Sequence, residues 1–437
     1  METHLADWLR GTPEGTEAES ILRSCVHCGF CTATCPTYQL LGDELDGPRG
    51  RIYLMKQVME GVTPTRETQL HLDRCLTCRN CESTCPSGVR YGHLVDIGRS
   101  LVEQRVKRPL GERVVRGALR EGLTRRWLFD PAMRVGQALR PLLPGTLKAK
   151  VPARRGPGER PRRVHARKVL LLDGCVQPAM IPAIDAATER VLDALGIQAV
   201  TVARSGCCGA IRHHLNDAAG ALDEARRNID AWWPWIDGSR VSRTDGGQLA
   251  STRGEGVEAI VVNASGCGAM LADYGHLLRD DPAYAQKAAR VSSLVRDLSV
   301  FLQGERERLA ALVASAPPRT DGERPAKRVA FHPPCTLQHG QQVRGAVESL
   351  LAACGAELVP FSESHLCCGS AGTYSVLQPA LSSELRDRKL GHLQANAPDA
   401  ILSANIGCLT HLQSGTATPV RHWVEWLDRA IAGARAA

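Results

Sequence analysis

The sequence predicts an α-helical N-terminal domain followed by a duplicated α/β domain with a parallel sheet. Three observations carry that prediction. A cysteine pattern, C-x2-C-x2-C-x3-C-P, occurs twice, at residues 25–36 and 75–86, among helix-patterned residues. After residue 166, short apolar runs alternate with helix-length segments, as in parallel strands buried on both faces. Those runs lead into cysteines that recur at a fixed interval: Cys175 to Cys335 and Cys207 to Cys367 are both 160 residues.

The N-terminal elements follow in order. Residues 16–24 form a helix leading into the first motif. Pro48 starts a second helix, with Ile52, Met55, Val58 and Met59 at helical spacing. Residues 65–74 form a short helix entering the second motif. The motif spacing is that of bacterial ferredoxins with two [4Fe–4S] clusters. Three thiolates in one winding loop reach three irons of one cubane, and the fourth, beside proline, points to the other cluster. This assigns Cys25, Cys28, Cys31 and Cys85 to one cluster and Cys75, Cys78, Cys81 and Cys35 to the other. Zinc sites do not need a third Cys after two residues, and disulfide frameworks belong to small secreted domains. Val26, Phe30, Leu76 and the two motif prolines are expected to shield the clusters, with His27 at the surface. The 50-residue offset between the motif copies makes this domain larger than a compact βαβ ferredoxin.

Residues 91–140 continue as helices. Val114, Val115, Ala118, Leu119, Trp127, Leu128 and Phe129 are expected to pack on the ferredoxin helices, with membrane-surface contact as the lesser reading. The net charge is +8, but residues 105–168 alone carry 19 Lys/Arg and 4 Asp/Glu. Residues 141–166, rich in Pro and Arg, are expected to be a solvated, mobile linker. A sharper reading makes Arg154, Arg155, Arg162 and Arg163 a docking surface for anionic lipid or an acidic partner. No aromatic residues alternate with these charges and no nucleic-acid motif occurs, so nucleic-acid binding is excluded.

In the duplicated part, strands are expected at 169–172, 199–202, 259–262, 329–331, 357–361 and 400–402. Each leads into cysteine: Cys175, Cys207-Cys208 and Cys267 in the first half, Cys335, Cys367-Cys368 and Cys408 in the second. Loops at the carboxyl ends of parallel strands are where open α/β sheets hold ligands. Cys267 to Cys408 is 141 residues, so the first half carries a 19-residue insertion, read as a surface loop within 237–256. Of the 17 cysteines, only Cys354 lies outside both sets. It aligns near Leu195 and is read as a buried core thiol. The expected domains are 1–140, a linker at 141–166, the first repeat at 167–304, a linker at 305–326 and the second repeat at 327–437. The start is polar rather than a signal peptide, and no apolar run is long enough to cross a membrane. A cysteine-rich chain of this kind is expected in the cytosol, where thiols stay reduced.

The repeated C…CCG…C pattern resembles the cysteine-rich CCG domain of the heterodisulfide reductase B subunit. With the ferredoxin motifs ahead of it, the chain resembles the iron–sulfur subunits of glycolate oxidase, anaerobic glycerol-3-phosphate dehydrogenase and heterodisulfide reductase. The likeness to the glycolate oxidase subunit is the strongest. It rests on the stretch from Cys25 to Tyr38, on Asp46-Gly-Pro-Arg-Gly-Arg-Ile-Tyr-Leu-Met55, on the stretch from Leu72 to Gly88, and on Gly206-Cys-Cys-Gly-Ala-Ile-Arg-His-His214. It implies an electron-transfer subunit of a complex that oxidises glycolate, and often D-lactate, to the 2-oxo acid. Flavin would sit on a separate FAD subunit, and membrane quinone would receive the electrons at the cytoplasmic side of the inner membrane. The absence of a G-x-G-x-x-G after a strand, of a P-loop and of a nucleophile–base pair agrees with that division of labour.

The chain departs from the heterodisulfide reductase pattern, which ends each repeat in C-x2-C. Here Met270 and His411 stand at the last position. Cys175, Cys207, Cys208 and Cys267, and Cys335, Cys367, Cys368 and Cys408, could still hold a [4Fe–4S] cluster or zinc, or pack without metal. His411 could add a ligand. Three alternatives stay open: an iron–sulfur subunit for glycerol 3-phosphate or lactate, disulfide reduction by the cysteine-rich half, and a redox sensor without turnover.

Overall fold

A computed structural model describes residues 1–239, 241–243, 249–251, 256–316 and 325–432. The N-terminal part is helical, as expected. Helix α1 (Pro13–Ser24) begins at Thr12, whose side chain accepts from the Gly15 amide, with proline at the first helical position. Helix α2 (Pro48–Met59) spans the segment between the motifs, and α3 (Arg66–Asp73) is opened by a reciprocal Thr65–Thr68 capping box. Helix α4 (Tyr91–Arg105) closes the bundle. Ile52, Met55, Val58 and Met59 of α2 are all buried, against Leu22 of α1, Leu72 of α3 and Leu94 of α4.

Helices α5 (Leu110–Thr124) and α6 (Arg126–Ala138) depart from expectation. Val114, Val115, Trp127 and Leu128 are exposed rather than packed on the ferredoxin helices; Trp127 is 73% exposed. Phe129 and Met133 of α6 pack instead on the core of the α/β part. Gln137 donates to the carbonyl of Met180, and Arg126 pairs with Asp173. The linker that follows is largely exposed to solvent, as expected, but it is tied to the α/β part at several points. Arg155 pairs with Glu425, Arg160 with Glu189 and His165 with Asp193, while Arg190 donates to the carbonyls of Pro157 and Glu159.

The rest forms two four-stranded parallel sheets with the same strand order. The first contains β1 (Arg167–Leu171) and β2 (Ile197–Thr201). The insertion contributes a separate antiparallel pair, β3 (Val241–Arg243) and β4 (Leu249–Ser251), where a loop is expected. Strands β5 (Ile260–Val262) and β6 (Val295–Asp297) complete the first sheet in the order β2-β1-β5-β6. The second contains β7 (Arg328–His332), β8 (Glu357–Leu358), β9 (Ala400–Ser403) and β10 (Val420–His422), in the order β8-β7-β9-β10. The edge strands β6 and β10 are absent from the sequence reading. They are three residues each, with only two apolar side chains between them, so they carry no apolar run to detect.

The helices repeat too. The long helix after β1 is α7 (Ala183–Ala194) and its counterpart after β7 is α8 (Ala346–Ala353). Leu195 and Cys354 are the residues that end them, both buried and both followed by glycine at positive φ. The alignment of these two positions is therefore correct. One apolar core runs through both repeats. Its seam carries Arg190–Asp428 at 2.7 Å and a bond from His422 Nε2 to the Asn263 carbonyl at 2.8 Å.

Candidate redox and metal centres

The ferredoxin loops wind through the left-handed region at matching places. His27 and Thr77 have φ of 56° and 51°; Gly29 and Arg79 have φ of 82° and 57°. Each loop then enters a short helix, Phe30–Ala33 and Asn80–Thr84, and Asn80 donates across to the Thr34 carbonyl at 2.9 Å. The two loops thereby bring cysteines from both motifs together. Cys31 is surrounded by Cys25, Cys28 and Cys85, and burial, with Cys25 next, pushes its thiol up to about 11. Cys81 is surrounded by Cys78, Cys75 and Cys35, and burial pushes it up further. Such crowded, desolvated thiols give up their protons to a metal rather than to water.

The two quartets sit in different surroundings. Cys28 is exposed, and Val26 and Phe30 beside it are 67% and 62% exposed. Those two side chains do not shield the first quartet. The expectation holds for Leu76 and Pro36, which are buried, but not for Pro86, which is exposed. The second quartet faces inward and is framed by cations. Arg51, 1% exposed, donates to the His71 carbonyl, to Thr37 Oγ1 and to Asp46. Arg99 donates to the carbonyls of Leu72 and Cys75. Thr37 Oγ1 lies 3.3 Å from Cys35 Sγ, and the Thr77 amide points at Cys75 Sγ from 3.4 Å. Bonds and charge of this kind raise the reduction potential of an iron–sulfur site.

In each cysteine-rich repeat the four thiols form a chain of neighbours at the carboxyl ends of the strands. Cys175 neighbours Cys207, Cys207 neighbours Cys208, and Cys208 neighbours Cys267. Cys335, Cys367, Cys368 and Cys408 repeat this order. The glycine of each CCG has positive φ, 91° at Gly209 and 85° at Gly369, and its amide donates to the first thiol of the pair at 3.4 Å. A Cβ at Gly369 would stand 2.5 Å from the Ser382 carbonyl oxygen.

The second chain of thiols meets the ferredoxin domain directly. Cys335 packs in one buried cluster with Cys367 and, from the ferredoxin domain, Leu76 and Cys78. Tyr374 donates to the Arg74 carbonyl at 3.1 Å, and Asn80 to the His365 carbonyl at 3.3 Å. The first repeat is joined through Arg79–Asp273 at 3.1 Å.

Two residues beside the second site escape sequence reasoning. His332, at the end of β7, is fully buried, and among the described residues neither ring nitrogen has a hydrogen-bond partner. Burial holds it neutral, well below its ordinary pKa. Leaving such a group unpaired costs on the order of 1–3 kcal/mol. Its ring lies against Cys368 and Cys408, the three ligand atoms being mutually within 4.8 Å. Lys389, 2% exposed, donates to the Glu363 carbonyl and adds positive charge beside Cys335, Cys367 and Cys368. At the 160-residue offset the first repeat has Leu172 and Ile229 in these places, which is the signal that could have found both. His411 is not turned to the thiols. Its Nε2 lies 3.1 Å from both the carbonyl and the hydroxyl of Ser382. Met270 is buried in the first repeat's core.

Crossed cysteine quartets on a helical domain, joined to a duplicated cysteine-rich α/β domain, define an iron–sulfur protein. Residues 21–89 match the model of the 4Fe-4S dicluster domain, and residues 169–272 and 329–413 that of the cysteine-rich (CCG) domain. The chain is 51% identical to the "Glycolate oxidase iron-sulfur subunit" of Escherichia coli (strain K12), over 99% of both chains. It is 31% identical to the "Probable glycolate oxidase iron-sulfur subunit" of Bacillus subtilis (strain 168), over 91% of this chain and 89% of that one. It is also 29% identical to the "Lactate utilization protein A" of Shouchella clausii, over 39% of this chain and 69% of the other. The chain belongs to the family of glycolate oxidase iron–sulfur subunits. Among the described residues, no helix is long and apolar enough to cross a membrane.

Proposed function

We propose that this chain is the electron-transfer subunit of a glycolate (D-2-hydroxy acid) oxidase complex. It takes electrons from the FAD of a partner subunit and delivers them to membrane quinone. The observation that carries this reading is the pair of crossed quartets, one open to the surface and one inside. Cys25, Cys28, Cys31 and Cys85 would hold one [4Fe–4S] cluster, and Cys75, Cys78, Cys81 and Cys35 the other. When bound, each cluster accepts and releases one electron, so the two-electron oxidation of the hydroxy acid is divided into single steps.

The chain's own residues set the direction. Exposed Cys28, Val26 and Phe30 leave the first quartet open to a partner. Arg51 and Arg99 place positive charge at the second and favour an electron there. The packing of Cys78 in one cluster with Cys335 extends that line to the second cysteine-rich repeat, whose thiols, like those of the first, are read as further iron–sulfur or metal ligands. The carbon chemistry belongs to the partner subunit. The complex works in the cytoplasm, peripherally at the inner face of the membrane.

The test is Cys28→Ser and Cys78→Ser in the assembled complex. Glycolate should still reduce the partner's flavin, while quinone reduction falls to background. Full quinone-linked turnover in either variant would sink the relay role. The likeness to lactate utilization proteins favours lactate as the second substrate reading, and the substrate profile of the assembled complex separates the two.

A further inference from the structure

The seam between the ferredoxin domain and the first repeat holds a group of ligand-type side chains that the electron path does not use. Glu17 of α1, His93 of α4 and His276 of the short helix Tyr274–Leu277 meet there. We propose that these three residues bind one divalent ion of the zinc class, which clamps the ferredoxin domain to the first repeat. The site contains no cysteine and does not rest on the electron-transfer reading.

Spacing is the first argument. An ion held tetrahedrally at about 2.0–2.1 Å from nitrogen and oxygen separates its donors by roughly 3.3 Å. His93 Nδ1 lies 3.3 Å from Glu17 Oε1, and His276 Nε2 lies 3.2 Å from the same oxygen. All three donor atoms are mutually within 4.8 Å. The two imidazoles stack, with centroids 4.1 Å apart and planes at 10°. Convergence on one ion needs these rings to tilt, which rotation about their side-chain bonds supplies.

The second argument is the lack of any other partner. The Glu17 side chain is only 10% exposed, and its Oε1 and the Nδ1 of His93 have no hydrogen-bond partner among the described residues. Buried polar atoms are almost always paired, so an orphaned carboxylate oxygen beside an orphaned imidazole nitrogen marks a place for a cation. The neighbours also present the donors in the state a metal requires. Asp273 Oδ1 stands 3.9 Å from His93 Nε2, and a carboxylate on that side keeps the ring proton there and the lone pair on Nδ1. Arg279 Nη1, which can only donate, lies 2.9 Å from His276 Nε2 and 3.2 Å from Nδ1, so the nearer nitrogen presents a lone pair as well. Arg279 Nη2 also lies 2.9 Å from Glu17 Oε2, and Arg90 4.0 Å from Oε1. Both arginine side chains are more than a third exposed, so an ion can replace their charge at the carboxylate while they turn to solvent. Two imidazoles and one carboxylate suit zinc, with the fourth position left to water. Because two ligands come from the ferredoxin domain and one from the first repeat, binding favours the docked arrangement over any looser one.

The test uses the full chain with its clusters, freed of loosely held metal by mild chelation and then titrated with cobalt(II) and with zinc. One cobalt(II) should bind without thiolate charge-transfer absorption, which separates this site from every cysteine of the chain. Zinc should displace that cobalt and raise the urea midpoint. His276→Gln should weaken the binding by about tenfold or more and abolish the midpoint gain, with iron content and cluster EPR unchanged. Cobalt bound only with thiolate charge transfer would overturn the proposal. So would unchanged affinity in His276→Gln. An ion-pair network alone, in which the substitution lowers the midpoint but zinc never raises it, would overturn it too. Should His276→Gln fail to fold, Glu17→Gln decides by the same titration: it should lose the cobalt site, and wild-type affinity refutes it.

Discussion

Single residues set the limits on both α/β sites. Gly369 combines positive φ with a backbone oxygen where a Cβ would stand. Gly369→Ala should cost about 3 kcal/mol, read as a lower urea midpoint. Asp297 caps the short helix Leu298–Gln303, and burial lifts its carboxyl from 3.8 to about 6. Between those values the folded chain keeps a proton that the unfolded chain releases. Stability therefore falls as pH rises through this window, and the loss is complete above about 6. Asp297→Asn keeps an acceptor for the Ser299 amide without the buried charge. It should gain about 2–3 kcal/mol at pH 8 and nothing at pH 4, by denaturant titration at both. The cysteines were legible because their spacing is the chemistry. His332 and Arg51 were not, because a lone histidine or arginine has no spacing to betray it. Only burial against thiols marks them out.

At the scale of elements, legibility followed hydrophobic pattern. Helix α2 was readable from four buried apolar residues at helical spacing. The central strands β1, β5, β7 and β9 were readable as apolar runs, but the short edge strands β6 and β10 were not. Helices α5 and α6 show the opposite error, since an apolar stripe does not say what it faces. Leu110, Val114, Trp127 and Val135 stand exposed on them, with exposed Arg113 and Arg134 nearby. This pair has the composition of a helix surface that rests on anionic lipid. The chain should therefore sediment with vesicles containing phosphatidylglycerol and release at high salt. Val114→Ser with Trp127→Ser should lower that binding at least severalfold. Binding unchanged by the pair of substitutions would remove these helices from the membrane contact.

On the scale of the whole molecule, the ferredoxin domain is wedged against both repeats. Arg79–Asp273 ties it to the first, while Asn80, Tyr374 and the packing of Cys78 with Cys335 tie it to the second. The partly buried Arg79–Asp273 pair is one of the ion pairs that hold this arrangement. Arg79→Ala should lower stability by about 1–2 kcal/mol and slow electron delivery without changing iron content, checked by metal analysis beside quinone-linked turnover.

The seam between the repeats has a further consequence. Helix α7, which follows the first strand of one repeat, lies on the last helix of the other, Trp423–Ile431. Helix α8 lies in the same way on Leu298–Gln303. That reciprocity is the geometry of a two-fold dimer. Joining the halves in one chain makes their association intramolecular, at an effective concentration in the millimolar range, so the pairing no longer depends on dilution. It also releases them from having to be identical. A true homodimer must mutate both faces at once, whereas a fused one can keep leucine and isoleucine beside one set of thiols and place histidine and lysine beside the other.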